Sequence, residues 1–214
     1  MKHWIALAAG LLAGASAMAQ AWPTKPIRFI VPFTAGSGTD IIARTVGDTM
    51  ARSLGQPIII ENKPGAGGTI AAAQVAKSEA DGYTILVHSS GHVVNPAIYT
   101  NLSYDTLKDL SGVVPMAALP NVLVVAPNRG WKTVGDLVAE AKAKPGKLNY
   151  ASVGVGAATQ LNDEKFKMQA VFDAVHVPYK GTPEAITDVI GGRADWYFSP
   201  LSAAVDSDQA GLLR

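Results

Sequence analysis

One local pattern occurs twice in the chain and constrains its fold more than any other feature. It consists of an apolar, β-rich run, then a loop containing two glycines, then residues with helical periodicity. The first copy spans residues 27–54 and the second spans residues 148–170. Alternation of strands and helices predicts parallel sheets with right-handed crossovers. We therefore expect an α/β protein with two lobes, whose glycine loops face one another across a cleft.

The remaining apolar runs and periodic stretches predict the other elements of these two lobes. They are strands at residues 57–61, 83–87, 121–126, 174–178 and 194–198, and helices at residues 69–77, 133–144 and 183–190. Thr133 is the predicted N-cap of its helix, with Asp136 bonding back to it. The segment between residues 95 and 120 is less regular, and one short strand is predicted near Val113 and Val114.

The first 19 residues have the layout of a secretory signal. Lys2 and His3 form a short basic start, residues 4–12 are almost wholly apolar, and Ala17-Met18-Ala19 is a small-residue cleavage site. The apolar stretch is shorter than the roughly 20 residues that a membrane-spanning helix needs. The sequence therefore predicts export, cleavage after Ala19 and a periplasmic protein.

Charge and cysteine content exclude several functional classes. Eighteen Lys and Arg residues against 17 Asp and Glu residues give a net charge of +1 without runs of like charge, which argues against nucleic-acid binding. The chain has no cysteine, so disulfides, thiol catalysis and cysteine-ligated zinc are excluded.

The two glycine loops are candidate seats for an anion. Glycine lets a ligand approach the backbone, and the helix that follows offers unpaired N–H groups and the positive end of its dipole. The first seat comprises Gly36, Ser37, Gly38 and Thr39, and the second comprises Gly154, Gly156, Ala157, Ala158 and Thr159. Glycine after a strand can equally serve only a tight turn, and Ser or Thr only an N-cap. Either loop alone leaves both interpretations open.

Catalytic and metal-binding motifs are not found in the sequence. Ile41 stands where a dinucleotide fingerprint has its third glycine, and neither a P-loop nor a G-x-S-x-G nucleophile motif occurs. His88 and His92 are four residues apart, but a predicted strand ends there, so no metal site is expected. His176 is interpreted as a structural histidine within a strand. For Asp40, Asp81 and Asp195 we expect capping or turn roles.

Several sequence blocks resemble one known family, and they occur in the family's order. They are residues 22–27 (WPTKPI), 31–40 (VPFTAGSGTD), 54–57 (LGQP), 61–68 (ENKPGAGG), 80–84 (ADGYT), 144–152 (KPGKLNYAS) and 175–181 (VHVPYKG). In these blocks the chain resembles the periplasmic receptors of tripartite tricarboxylate transporters, also called the Bug family.

The resemblance implies a type II, flytrap-like binding protein without catalytic activity, cofactor or metal. Such a receptor is a monomer that binds a small organic carboxylate and delivers it to membrane permease subunits. Lobe 1 would occupy residues 20–99 and lobe 2 residues 100–214. The carboxylate would be held by the first loop (Phe33, Thr34, Gly36, Ser37, Gly38, Thr39) and by the second (Ser152, Gly154, Gly156, Ala157, Ala158, Thr159). The rest of the ligand would be selected by Ser89, Ser90, His92, Asn95 and Ser199.

The chain departs from the family in two respects. Ala157 and Ala158 stand where family members often carry Ser or Thr, so the second seat would depend more on backbone amides. The family also continues for about another third of its length beyond Arg214, so lobe 1 is expected to be incomplete and to expose a sheet edge. Two alternatives therefore stay open: a fragment that cannot bind, and a small secreted enzyme that uses His88 or His92 on an anionic substrate.

Overall fold

The structure is a computed structural model in which residues 22–214 are described, so the predicted signal at residues 1–19 lies outside the described residues. The first half contains a parallel sheet and its connecting helices. Its elements are β1 (Ile27–Val31), α1 (Gly38–Leu54), β2 (Ile58–Asn62), a 3₁₀ turn (Ala66–Gly68), α2 (Thr69–Ala76), β3 (Thr84–Leu86) and α3 (Gly91–Ile98).

The second half contains a mixed four-stranded sheet. Its elements are β4 (Asn121–Val125), a 3₁₀ turn (Pro127–Arg129), α4 (Val134–Ala143), β5 (Asn149–Ser152), α5 (Ala158–Ala170), β6 (Val175–Pro178), α6 (Thr182–Ile190), β7 (Trp196–Pro200) and α7 (Leu201–Gln209). The strand order is β4-β7-β5-β6, in which only the pairing of β4 with β7 is antiparallel.

The two sheets repeat one topology. In the first, β1 lies between β2 and β3, and in the second, β5 lies between β6 and β7, with every one of these pairings parallel. In each sheet, the next strand along the chain pairs on one side of the central strand and the strand after it pairs on the other side. The winding direction of the chain therefore reverses at β1 in the first sheet and at β5 in the second. Ligands of open α/β sheets bind at such reversal points, beyond the carboxyl ends of the strands. Both predicted glycine loops lie there.

Apolar side chains form separate cores around the two sheets. The first sheet buries Ile27, Phe29 and Val31 of β1 against α1. In the second sheet, Trp196 of β7 lies in one core and its neighbour Tyr197 lies in another, because successive strand residues point to opposite faces.

Several predictions from local sequence patterns are confirmed at the ends of helices and strands. Gly55 ends α1 in the left-handed conformation, with φ of 67° and its N–H bonded to Ala51 O. Thr133 and Asp136 form the predicted capping box, with Asp136 N donating to Thr133 Oγ1 at 3.2 Å and Thr133 N donating to Asp136 Oδ2 at 2.8 Å. His176 is bonded to Ser152 Oγ at 2.6 Å, as a structural histidine would be.

The segment between α3 and β4 differs from its sequence-based prediction. The short strand near Val113 and Val114 is wrong, because no strand within residues 22–214 pairs with this segment and both side chains are largely exposed. Leu110 and Met116 pack on the cores of the first sheet. The predicted division between the lobes after residue 99 stays a prediction.

Two observations concern the outer surface of the described part. Across residues 22–214, β2 and β3 each pair with a single strand, and Ile59 of β2 is about half exposed. Among the same residues, no helix combines the length and the apolar character needed to cross a membrane.

Candidate functional site

The two glycine loops share one backbone conformation in the two residues before each helix, whereas Gly154 of the second loop has a further positive φ of 117°. Gly36 and Gly156 have left-handed φ angles of 82° and 80°. The residues that follow them, Ser37 and Ala157, are the N-caps of α1 and α5 with nearly identical dihedral angles (φ −71°, ψ 156° and φ −69°, ψ 152°). Neither N-cap side chain bonds to the first turn of its helix. Both helices therefore begin with amide groups that their N-cap side chains leave free for an acceptor.

Each loop is fixed by a side chain from the helix that it precedes. Gly36 N donates to Asp40 Oδ2 at 2.8 Å, and Gly156 N donates to Gln160 Oε1 at 2.7 Å. The two bonds span four residues in each case, so they close equivalent turns. This equivalence extends the repeat from the sheet topology to the detail of the loops.

Asp40 carries a charge next to the first loop, but that charge is compensated. Arg44 donates to both of its carboxylate oxygens, at 2.9 and 3.0 Å, and Asn62 Nδ2 donates at 2.9 Å. Burial acts to raise the pKa of Asp40, yet the hydrogen bonds from Arg44, Gly36 and Asn62 outweigh it and hold that pKa below its usual value. Asp40 thus positions the loop, in agreement with the capping role expected for it.

A cavity of about 950 Å³ lies between the two sheets beside both loops. Eight of the predicted ligand-binding residues line it: Phe33, Ser37, Gly38, Thr39, Ser89, Ser90, Ala158 and Thr159. The other nine do not, namely Thr34, Gly36, His92, Asn95, Ser152, Gly154, Gly156, Ala157 and Ser199. The structure therefore brings the starts of α1 and α5 together at one cavity.

The hydroxyl of Thr39 gives the clearest indication of what this cavity binds. Its side chain is buried in the first turn of α1, and its Oγ1 has no hydrogen-bond partner within residues 22–214. The equivalent Thr159 accepts a hydrogen bond from Val153 N at 3.1 Å, which leaves its own O–H free to donate. A buried hydroxyl without a partner is unfavourable unless a ligand or water satisfies it.

Several predicted residues that do not line the cavity bond within the protein instead. Thr34 Oγ1 donates to Glu184 Oε2 at 2.9 Å, and Asn95 Nδ2 donates to Gly67 O at 3.3 Å. Ser199 is fully buried, and its hydroxyl donates to Pro200 O at 3.2 Å. These groups hold structural elements together in the structure.

His88 and His92 form a ring pair whose centroids are 5.3 Å apart. His88 Nδ1 accepts a hydrogen bond from Ser89 N at 2.8 Å, and burial together with the neighbouring His92 lowers the pKa of His88 to about 3. Burial also lowers the pKa of His92. Within the described part of the chain, no three histidine, aspartate or glutamate side chains cluster as metal ligands would.

Sequence reasoning missed a second group of lining residues, on the far side of the cavity. It includes Asn121, Leu161, Asn162, Lys165, Phe166 and Gln169. All of these except Asn121 lie on α5. Each of the five has at least one other of the group three or four residues away, so they lie on one face of the helix. That spacing could have indicated them once α5 was known to face the cleft.

Comparison with known proteins assigns the chain to a family. The sequence profile described as "Tripartite tricarboxylate transporter family receptor" matches residues 42–214. The chain belongs to this family. The protein BugT of Bordetella pertussis is 36% identical over 208 residues, which are 96% of this chain and 63% of BugT. The chain spans between 54% and 65% of the length of the first curated relatives that it matches.

Solved structures give the same result for the fold. A periplasmic transporter is 43% identical, with a TM-score of 0.86 over 91% of this chain and 65% of that chain. A protein of R. palustris solved with adipate is 34% identical, with a TM-score of 0.86 over 90% of this chain and 65% of that chain. MatC of Rhodopseudomonas palustris, solved with bound malate, is 30% identical, with a TM-score of 0.85 over 90% and 66% of the two chains. This receptor-family chain has the α/β fold of periplasmic binding proteins.

Proposed function

We propose that this chain acts as a periplasmic solute-binding receptor that captures a small organic carboxylate between its two lobes. The observation that carries the proposal is the Thr39 hydroxyl, which is buried in the first turn of α1, lines the cavity and has no partner within residues 22–214. A carboxylate oxygen would accept from it. The first-turn amides of α1 and α5 supply further donors of the same kind.

The charge distribution around the cavity supports an anionic ligand. Among residues 22–214, no acidic side chain lines the cavity, and the charge of the nearby Asp40 is compensated by Arg44. The positive ends of two helix dipoles point at the same space, and anions are stabilised near such ends by typically 0.3–1 kcal/mol each. Receptors of the same family bind carboxylates, as the structures with adipate and with bound malate illustrate.

The proposed receptor does not transform its ligand. The family model describes a receptor, and one of the similar solved structures is the periplasmic binding protein BugD. A general acid or base works best with a pKa near the operating pH, whereas the pKa of His88 is held at about 3. His88 therefore stays neutral and unprotonated at Nδ1, and the secreted-enzyme alternative loses one of its two candidate histidines.

We further propose that the receptor is exported, works as a monomer and delivers its ligand to permease subunits in the membrane. Lobe closure around the ligand would present a surface formed by both lobes to the permease. The family assignment and the signal-like residues 1–19 support this part of the proposal.

Thermal unfolding of the purified protein with a panel of acids tests the proposal. The panel contains malate, adipate, citrate and hexanoate, with the corresponding neutral amides as controls. A ligand present at 100 times its Kd adds about 2.7 kcal/mol to the free energy of unfolding. For a chain of this size that corresponds to a rise in Tm of roughly 5–10 °C.

The outcomes separate the proposal from its alternatives. A cooperative transition that one or more acids raise, and that the amides leave unchanged, supports the receptor. A cooperative transition that no acid moves contradicts it. Absence of any cooperative transition would favour the fragment alternative, in which residues beyond this sequence are needed to form the site.

A further inference from the structure

Among the described residues that line the cavity, Lys165 is the one with a charged side chain. The other described lining residues are apolar or neutral, and Lys165 itself is exposed. A charge in that position selects for a ligand with a complementary charge.

Lys165 lies away from the anion seat, along the same helix. It follows Thr159 by six residues on α5, which corresponds to about 9 Å along the helix axis. Leu161 and Phe166 line the cavity along the same stretch of helix, and Phe33 lines it beside the first loop. The lining therefore includes the polar donors at the starts of α1 and α5, apolar side chains, and Lys165 farther along α5.

Within residues 22–214, no ion pair or side-chain hydrogen bond involves the ammonium group of Lys165. Its helix neighbours at three and four residues are neutral, namely Leu161, Asn162, Met168 and Gln169. By contrast, Lys167 on the same helix pairs with Glu164 at 3.2 Å. Lys165 is thus free to pair with a ligand.

We propose that Lys165 is a specificity-determining residue that binds the second acidic group of an elongated dicarboxylate. This inference rests on the proposed receptor function, because it assumes that the first carboxylate occupies the seat at Thr39. The apolar middle of the ligand packs on the walls formed by Phe33, Leu161 and Phe166, and the distal carboxylate pairs with the ammonium group. Acids with one carboxylate and the same chain length leave Lys165 unpaired and bind less tightly.

Titration calorimetry with adipate and hexanoate tests the inference, since the two acids share six carbons and differ in the second carboxylate. The wild-type protein is compared with K165Q, which keeps a long polar side chain but removes the charge. K142Q is the matched control, because Lys142 is an exposed helical lysine on α4 outside the cavity. The ratio of the two dissociation constants is the readout, so a small general change in stability does not affect it.

We expect the wild-type protein and K142Q to bind adipate about three- to tenfold more tightly than hexanoate, and K165Q to bind both about equally. Raising the ionic strength should weaken adipate binding to the wild-type protein more than hexanoate binding. An unchanged ratio in K165Q would overturn the role of Lys165 while leaving the receptor intact. If neither acid nor any other carboxylate of the panel binds the wild-type protein, the proposed function itself is wrong.

Discussion

Ser37 Oγ accepts a hydrogen bond from the backbone amide of Thr182 at 3.1 Å, and this bond joins the two lobes. Ser37 precedes α1 beside the first sheet, and Thr182 begins α6 beside the second. The serine therefore caps a helix of the other lobe instead of its own. Thr34 Oγ1 donates to Glu184 Oε2 at 2.9 Å in the same region. Two hydroxyls that the sequence assigned to the ligand thus form hydrogen bonds between the lobes.

Substitution of Gly181 tests whether this junction holds the lobes closed. A Cβ on Gly181 would lie 1.7 Å from Thr34 Oγ1, 2.7 Å from Ser37 Oγ and 2.9 Å from Thr34 Cβ, so G181A must displace these side chains and disturb their bonds between the lobes. The φ of Gly181 is −170°, an extended value that alanine adopts without strain. We expect G181A to increase the radius of gyration measured by small-angle X-ray scattering and to lower Tm by a few degrees.

The matched control for this experiment is G112A. A Cβ on Gly112 would meet no heavy atom within 4 Å, so the substitution should leave both the radius of gyration and Tm unchanged. Identical scattering curves for G181A and G112A would mean that the contacts of Thr34 and Ser37 do not set the distance between the lobes.

Thr39→Val separates ligand binding from stability. Valine has the shape of threonine without the hydroxyl, and Thr39 Oγ1 makes no hydrogen bond within residues 22–214. Removing a buried, unpartnered hydroxyl should leave Tm of the free protein unchanged or slightly higher. Loss of one hydrogen bond to a carboxylate should weaken binding about tenfold, as measured by calorimetry.

Thr45→Val provides the comparison, because Thr45 lies on the exposed side of α1 and its hydroxyl donates to Ile41 O at 2.9 Å. This variant should bind the ligand as the wild type does. Equal affinities of the wild type, T39V and T45V would remove Thr39 from the site.

Asp163 makes the stability of lobe 2 depend on pH. Its Oδ1 accepts from Trp196 Nε1 at 2.7 Å, whereas its Oδ2 has no partner within residues 22–214. Burial, helped by the nearby charge of Glu164, raises the pKa of Asp163 to about 8, although Trp196 and Lys167 act in the opposite direction. The folded protein therefore keeps this carboxyl protonated at neutral pH.

The direction in which stability changes with pH follows from the protonation of Asp163 in the folded and in the unfolded chain. Below about pH 4 the carboxyl is protonated in both the folded and the unfolded chain, so it has no effect on their balance. Between about pH 4 and pH 8 only the unfolded chain ionises, and the free energy of unfolding falls as the pH rises. The asparagine of the D163N variant does not titrate, and its amide oxygen can still accept a hydrogen bond from Trp196 Nε1. The difference in Tm between D163N and the wild type should therefore become more positive by several degrees from pH 4 to pH 8.

Asp208→Asn serves as the control, since Asp208 is an exposed aspartate on α7. Its difference in Tm from the wild type should change little over the same range. If the difference in Tm between D163N and the wild type does not change with pH, Asp163 is ionised in the folded protein at neutral pH.

The architecture could be predicted from the sequence because its signals are local. Each of the strands β1 and β5 is followed within five residues by a glycine with a left-handed φ, Gly36 after β1 and Gly156 after β5. The capping box of Thr133 is likewise complete within four residues. Signals of this kind do not depend on where the rest of the chain lies.

The missed features depend on tertiary contacts. The residues around Val113 have the composition of a strand, but a strand forms only beside a neighbour, and within residues 22–214 none pairs with them. Helix α3 was not predicted because it contains Pro96 and only residues 87–90 separate it from β3. Thr34 and Ser199 were assigned to the ligand because hydroxyls beside a glycine loop or hinge suit that role. Only the structure reveals their internal partners, Glu184 and Pro200.

Titration calorimetry of the wild-type protein and an Ala158→Trp variant with malate and adipate tests the central claim most directly. Ala158 is the first residue of α5 and lines the cavity, so an indole there would fill the space beside both loops. The carboxylate-receptor account predicts saturable binding of one acid molecule per wild-type chain and no binding to A158W, with both proteins melting cooperatively. Equal binding to the two proteins, or a folded wild-type protein that binds no carboxylate, would contradict it.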